Sequence, residues 1–262
     1  MRAKEESSSA AVERTLAILE AVARREAGMT NSEISRKLEI PKSTASYLLR
    51  TLEQCGYLRR EADTGHYRLG LKVLSLSRGV QIGRDIKEAS AAVAKRLAER
   101  SGLTVHIAIL DHGEMVYIEK VESPGFIQTS TWVGKRMQVS STGVGKAIAA
   151  HLSEGEIEAI LKEHGLKKRT AKTITTQARF LAELEKVHER GYAVDDEENS
   201  LGARCVAAPI FDSFGKPIAG IGLSGTTSQI NRACLAKVAE MVQEAAKKIS
   251  QNLSQQSPAL SR

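Results

Sequence analysis

Four stretches of this 262-residue chain carry side chains whose types and spacing could do chemistry. Ser141-Thr142-Gly143-Val144-Gly145-Lys146-Ala147 suggests a phosphate-binding loop. That loop needs a glycine five residues before the Gly-Lys pair and a hydroxyl after it; here Ser140 and Ala147 stand in those places. What remains is a glycine-bearing helix start, whose free N–H groups suit a small anion, or glycines that only permit close packing. Asp195-Asp196-Glu197-Glu198 offers four carboxylates, but no matching His or Asp spacing follows, and the expectation is a solvated loop without metal. Cys205 suggests a nucleophile with a histidine base. Yet it lies in an apolar run, where cysteine behaves as a small hydrophobe, and His106, His112, His151, His164 and His188 show no spacing that makes any of them its base. The fourth stretch, Lys42 to Arg50, sets short hydroxyls, a tyrosine and an arginine along one side of a helix. Such a face suits phosphates and base edges, and equally suits a solvated surface.

These residues need elements to hold them. Residues 1–10 read as a frayed arm. Val12, Leu16, Leu19 and Ala23 recur at helical spacing, and Gly28 follows as a stop. Thr30 and Glu33 form a capping box for a short helix that buries Ile34 and Leu38. Ile40-Pro41 ends it, because the residue before proline is pushed out of helical geometry, and Pro41 suits the first turn of a new helix. Ala45, Leu48, Leu49 and Leu52 mark that helix's buried side; Lys42, Ser43, Thr44, Ser46, Tyr47 and Arg50 mark the other. Arg59-Arg60 and His66-Tyr67-Arg68 flank Asp63-Thr64-Gly65, a turn between two short strands. Three helices and a basic hairpin make a winged helix-turn-helix over residues 11–70.

A helical linker is expected over 71–84, interrupted at Gly83, with a second helix over about 84–100 packing on the next domain. That domain, 85–252, alternates antiparallel strand groups with helices. Strands are expected at 104–110, 115–121, 126–132, 192–194, 204–211 and 217–223. Helices are expected at 143–151, 154–164, 177–190 and 229–252, with a tail at 253–262. The fold class is α+β in two domains.

Hydrophobic residues make up 42% and charged residues 26%, as in a folded chain. The net charge of +7 favours a polyanionic partner only weakly, since residues 1–70 hold twelve basic against ten acidic side chains. No apolar run reaches the ~18 residues of a membrane span. The charged N-terminus lacks a signal-peptide core, and three scattered cysteines argue against a disulfide framework or a cysteine-based zinc site. A cytoplasmic protein without a cofactor is expected.

Two segments carry a family resemblance. ERTLAILEAVAR…MTNSEISRKLEIPKSTASYLLRTLEQCGYLRR…GHYRLG resembles the N-terminal domain of the IclR family of bacterial transcriptional regulators. STGVGKAIAAHL and GYAVDDEENSLGARCVAAPIFDSFGKPIAGIGLSG resemble the family's effector-binding domain, and the likeness covers residues 11 to about 250. It implies a GAF/PAS-like second domain and a helix at Lys42–Arg50 that enters the major groove. Arg14, Ser32, Arg59, His66 and Tyr67 are the further DNA-contact candidates. It implies effector contacts at Gly143, Val144, Asp195, Ala203, Cys205, Gly222 and Ser224, with Phe126 and Thr129 across the site. Gly222 stands where relatives can carry a hydroxyl and Val144 where they carry alanine, so a ligand larger or more apolar than glyoxylate fits the pattern.

The expected function is a transcriptional regulator, a repressor in preference to an activator, binding double-stranded palindromic DNA as a homodimer or dimer of dimers. A small organic or aromatic acid would control it. The alternatives are an enzyme acting through Cys205 and a second domain that only dimerises.

Overall fold

The computed structural model describes residues 2–77, 83–122 and 131–256, with side chains from residue 9 to 255. The expected contacts Phe126 and Thr129 and most of the expected strand 126–132 lie outside the described residues. The chain divides into two compact units, Met1–Gln81 and Ile82–Arg262.

In the first unit, helix α1 (Arg2–Ala23) begins before the expected frayed arm ends. Its buried face is Ile18, Ala21 and Val22, while Val12 and Leu16 are more than half exposed. The apolar spacing thus located the helix but not the stripe that packs within the unit. The capping box forms as expected on α2 (Asn31–Lys37). Thr30 Oγ1 accepts from the Glu33 N–H, and the Thr30 N–H donates to Glu33 Oε2 at 2.8 Å. Helix α3 (Lys42–Gln54) starts one residue after Pro41, which occupies the N-cap position. Ala45, Leu48, Leu49 and Leu52 bury against Ile18, Ile34 and Leu58; each fully buried leucine stabilises the unit by about 1.5–3 kcal/mol.

Strands β1 (Leu58–Arg60) and β2 (Tyr67–Leu69) pair antiparallel as the expected hairpin. Met29 bridges to Tyr67 through both backbone hydrogen bonds, at 2.8 and 3.1 Å. The chain passes so close there that a Cβ on Gly28 would lie 2.7 Å from the Tyr67 carbonyl, and Gly28 also holds φ +74°; only glycine fits both demands. A short helix, α4 (Lys72–Ser77), follows.

The second unit opens with α5 (Arg84–Ser101), capped by Gly83 in the left-handed region, as the interruption there suggested. Strands β3 (Thr104–Asp111), β4 (Glu114–Val121) and β5 (Arg136–Gln138) precede helices α6 (Gly143–Ala149), α7 (Glu154–His164) and α8 (Gln177–Arg190). Strands β6 (Ala193–Asp196), β7 (Ala203–Phe211) and β8 (Pro217–Thr226) and helix α9 (Leu235–Gln256) complete it. β5 falls in a stretch with no expected element, and α9 starts six residues later and ends four residues later than its apolar spacing indicated.

The six strands form one antiparallel sheet ordered β5-β4-β3-β8-β7-β6. Side chains alternate across it. Val105, Ile107, Val206, Ala208, Ile221 and Leu223 face α5 and α9. The opposite face is built from smaller groups, Ala108, Ala207, Gly220 and Gly222, and α6 lies close against it. A Cβ on Gly220 would come 3.3 Å from Val144, and one on Gly143 would come 3.2 Å from the Cys205 sulfur.

Candidate functional site

On the first unit, α3 separates its residues cleanly. Lys42, Ser43, Tyr47 and Arg50 are exposed, Tyr47 at 70%, and Thr44 and Ser46 are half-buried. Ser43, Tyr47 and Arg50 fall at four- and three-residue steps and so share one outward stripe. Arg14, Ser32 and Arg59 are exposed, and His66 is half-buried with Nδ1 3.2 Å from the Thr64 carbonyl. Tyr67 is the exception. It is 8% exposed and packs in the core with Ile18, Leu49 and Leu58. Next to the pairing of β2 with Met29 its ring packs inward, so its side chain leaves little surface for a nucleic acid.

The second unit holds a cavity of about 510 Å³ between the small-residue face of the sheet, the start of α6 and the loop after β6. Gly143, Val144, Asp195, Ala203, Cys205 and Ser224 line it together. Gly222 does not. Its backbone is buried beneath Val144, and a Cβ there would meet the Cys205 sulfur at 3.1 Å and Val144 Cγ1 at 3.3 Å, so glycine here serves helix-to-sheet packing rather than a missing ligand contact. The cavity also brings in His106, Tyr117, Lys135 and Arg169, which pattern alone did not mark. The signal available was weak: a histidine within an apolar strand, and a basic residue ending Lys167-Lys168-Arg169.

The floor is a hydrogen-bonded chain. His106 Nε2 lies 2.7 Å from Thr131 Oγ1 and its Nδ1 3.2 Å from Ser224 Oγ, and its ring stacks on Tyr117 at 4.7 Å. Burial, with help from Lys120 and Lys135, lowers the His106 pKa to about 3; the ring is neutral, donating from one nitrogen and accepting at the other. Cys205 keeps some surface toward the cavity, yet burial pushes its thiol up to about 12, against a hydrogen bond from Ser224. A thiol so protonated is a poor nucleophile.

The acidic run is not a solvated loop. Asp195 is 6% exposed and Glu198 7%. Asp195 Oδ1 accepts from the N–H groups of Glu198 at 2.8 Å and Asn199 at 3.2 Å. Glu198 pairs with Lys146, Glu197 with Lys172 and Asp196 with Arg204. Each carboxylate is committed to shaping the turn, and among the described residues no group of three or more His, Cys, Asp or Glu side chains converges as for a metal. Lys146 is itself fully buried, reaching across the sheet to the Val194 carbonyl at 2.6 Å. At the start of α6, Thr142 Oγ1 takes the Gly145 N–H at 3.2 Å.

A second cavity, about 540 Å³, lies among α6, α7 and α8. Leu152, Ile157 and Leu181 floor it, and Glu154, Glu158, Glu185 and Glu189 ring it, a field that repels an acid.

Two family models match this chain. The bacterial transcriptional regulator IclR C-terminal model matches residues 80–251, and the IclR helix-turn-helix domain model matches residues 11–62. The chain belongs to the IclR family. It is 35% identical to the HTH-type transcriptional regulator XynR of Escherichia coli K12, over 92% of this chain and 96% of that one. The Thermotoga maritima IclR crystal structure superposes with a TM-score of 0.75 at 33% identity, covering 93% of this chain and 98% of that one. An IclR homologue of Microbacterium hydrocarbonoxydans, solved with 4-hydroxybenzoate, shares the fold with a TM-score of 0.78 at 23% identity, over 93% and 98% of the two chains.

As a member of that family the protein is a transcriptional regulator with a helix-turn-helix DNA-binding domain. Its relatives are named as transcriptional regulators and repressors. No described helix is long and apolar enough to cross a membrane.

Proposed function

We propose that this IclR-family protein is an effector-controlled repressor. Its α3 reads a palindromic operator, and a small organic or aromatic acid in the cavity at Gly143, Asp195, Cys205 and Ser224 sets its DNA affinity. The observation that carries the reading is that cavity: polar groups converge on it from strands far apart in sequence, in a chain whose first unit is a helix-turn-helix. A structural relative solved with 4-hydroxybenzoate and relatives named as repressors support it.

The protein acts as a homodimer or a pair of dimers, since a two-fold operator is matched by a two-fold protein. Val12 and Leu16 on α1, and Leu71, Leu74 and Leu76 at α4, leave apolar surface exposed on the first unit; a second copy is what would cover it. The domain limits 11–70 and 85–252, joined by the helical linker 71–84, are part of this proposal. The effector acts by binding one placement of the two reading heads more tightly than another.

The test is a thermal-shift screen of small carboxylates, sugar acids and aromatic acids, followed by operator binding with and without each hit. A ligand that binds only the folded state raises the melting temperature. A hit that also changes operator affinity supports the reading. A second domain indifferent to every compound supports one that only dimerises.

A further inference from the structure

The second cavity, about 540 Å³, is walled by α7 and α8 and closed at its back by the end of α6. Its floor is apolar, built from Ala149, Leu152, Ile157, Leu181 and Leu184. Leu152 and Leu181 are only half-buried, so part of that floor stays open. A volume of this size lies in the range of small-molecule sites, about 300–1,000 Å³.

The rim is acidic. Glu154 and Glu158 stand on α7 and Glu185 and Glu189 on α8, all of them exposed, and no lysine or arginine lines the cavity. Among the described residues none of these four carboxylates has a Lys, Arg or His within ion-pair distance. Arg190, next in sequence to Glu189, bonds Glu183 instead at 2.8 Å, and Lys146 on α6 is committed to Glu198.

The fold itself gains nothing from this arrangement. Each wall sets its two carboxylates four residues apart, where side chains on a helix are neighbours and like charges destabilise it. Glu189 also stands in the last turn of α8, where free carbonyls already make the field negative. A cation from outside relieves both walls at once, and an apolar body attached to it covers the open leucines.

We propose that this cavity binds an amphiphilic organic cation, an aryl- or alkylammonium. Its apolar body lies on Leu152, Ile157 and Leu181, and its ammonium group is held by the glutamates of the rim. Burial of the body supplies affinity, and the carboxylates select the sign of the charge. The site is separate from the cavity at Gly143 and Cys205 and does not depend on what that cavity binds.

The test is isothermal titration of the full chain at physiological ionic strength with 4-phenylbutylamine and 1-naphthylmethylamine. Their uncharged counterparts are 4-phenylbutanol and 1-naphthylmethanol, and spermidine supplies charge without an apolar body. Glu158→Gln/Glu185→Gln and Leu181→Asn are titrated in parallel, each checked by thermal melting. Methyl NMR of the wild-type chain locates the site whether or not the variants fold. At least one amine is expected to bind, shifting the methyl signals of Leu152, Ile157 and Leu181. Its alcohol and spermidine should each bind about fivefold more weakly or worse. Glu158→Gln/Glu185→Gln should weaken the amine by about fivefold and leave the alcohol within about twofold. Leu181→Asn should weaken both alike. An alcohol as tight as its amine, or an amine indifferent to the glutamate changes, overturns the proposal. So does spermidine binding as tightly as the amines, which would mean an acidic surface only. Methyl shifts confined to other residues, or silence of every compound, overturn it as well.

Discussion

Lys146 and Glu198 form an ion pair inside the second unit, 52 residues apart in sequence, with Lys146 wholly enclosed. Glu183 Oε1 lies 3.7 Å from the same ammonium, and Glu198 Oε2 has no partner among the described residues. Breaking such a pair leaves a buried charge uncompensated. Lys146→Met is therefore expected to cost about 3–5 kcal/mol in urea unfolding. The double variant Lys146→Met/Glu198→Leu should recover most of that loss. A double variant as unstable as the single one would mean that the pair is not what the lysine contributes.

Asp195 predicts a pH effect of definite sign. Burial raises its pKa to about 7, and the Glu198 charge adds to this, while the Asn199 and Glu198 N–H groups and Lys146 oppose it. The unfolded carboxyl releases its proton near pH 4. Between these values the folded state holds the proton that the unfolded state has lost, so this group's contribution falls as pH rises from about 4 to 7. His106 works in the opposite sense, since its pKa is lowered to about 3: its contribution is lost as pH falls from about 6.5. Asp195→Asn should therefore steepen the gain in stability between pH 4 and 7, measured as the difference between variant and wild-type unfolding curves. Parallel curves would refute the assignment.

The first unit has an acid-sensitive cap. Hydrogen bonds from the Thr30 backbone, then from Arg25 and the Thr30 hydroxyl, hold the Glu33 carboxyl down at about 2. Its contribution is present above the ordinary carboxylate range and fades as pH falls toward 2. Thr30→Ala should cost about 1 kcal/mol at neutral pH. Amide exchange should quicken first in α2, and uniform quickening across α1–α3 would place the effect elsewhere.

The outward stripe of α3 makes the DNA prediction. Arg50→Ala should weaken operator binding by about tenfold, in line with the loss of a bidentate base or phosphate contact. Combined Lys42, Tyr47 and Arg50 substitution should abolish specific binding, and affinity should fall steeply with salt. Tyr67→Phe should leave operator affinity unchanged, whereas Tyr67→Ala should destabilise the fold by about 3–5 kcal/mol, as for other large aromatic truncations. Specific binding that survives the triple variant would remove α3 from the interface.

Local rules made much of the fold legible. The Thr30–Glu33 box, the Gly83 break and the apolar positions of α3 each depend on residues within one or two turns, and each was readable. What failed depended on distant partners. Tyr67 reads as a wing residue until Met29 pairs with its backbone and its ring packs inward. Lys146 reads only as the lysine of an incomplete phosphate loop until Glu198, in the turn after β6, pairs with it. Arg169 ends a basic run without periodicity, and only the turn after β6 brings it to the cavity. The run Asp195–Glu198 misled for the same reason: Lys146, Lys172 and Arg204, which pair with three of its carboxylates, lie elsewhere in the chain.

The division of labour within α3 has an evolutionary corollary. Leu48, Leu49 and Leu52 are spent on the interior, while Ser43, Tyr47 and Arg50 touch nothing that the interior depends on. The outer positions are free to drift without endangering the fold, since exposed substitutions away from such features cost within about ±0.5 kcal/mol. A duplicated copy could thus acquire a new genomic address by a handful of surface exchanges, keeping its sensor and its scaffold untouched.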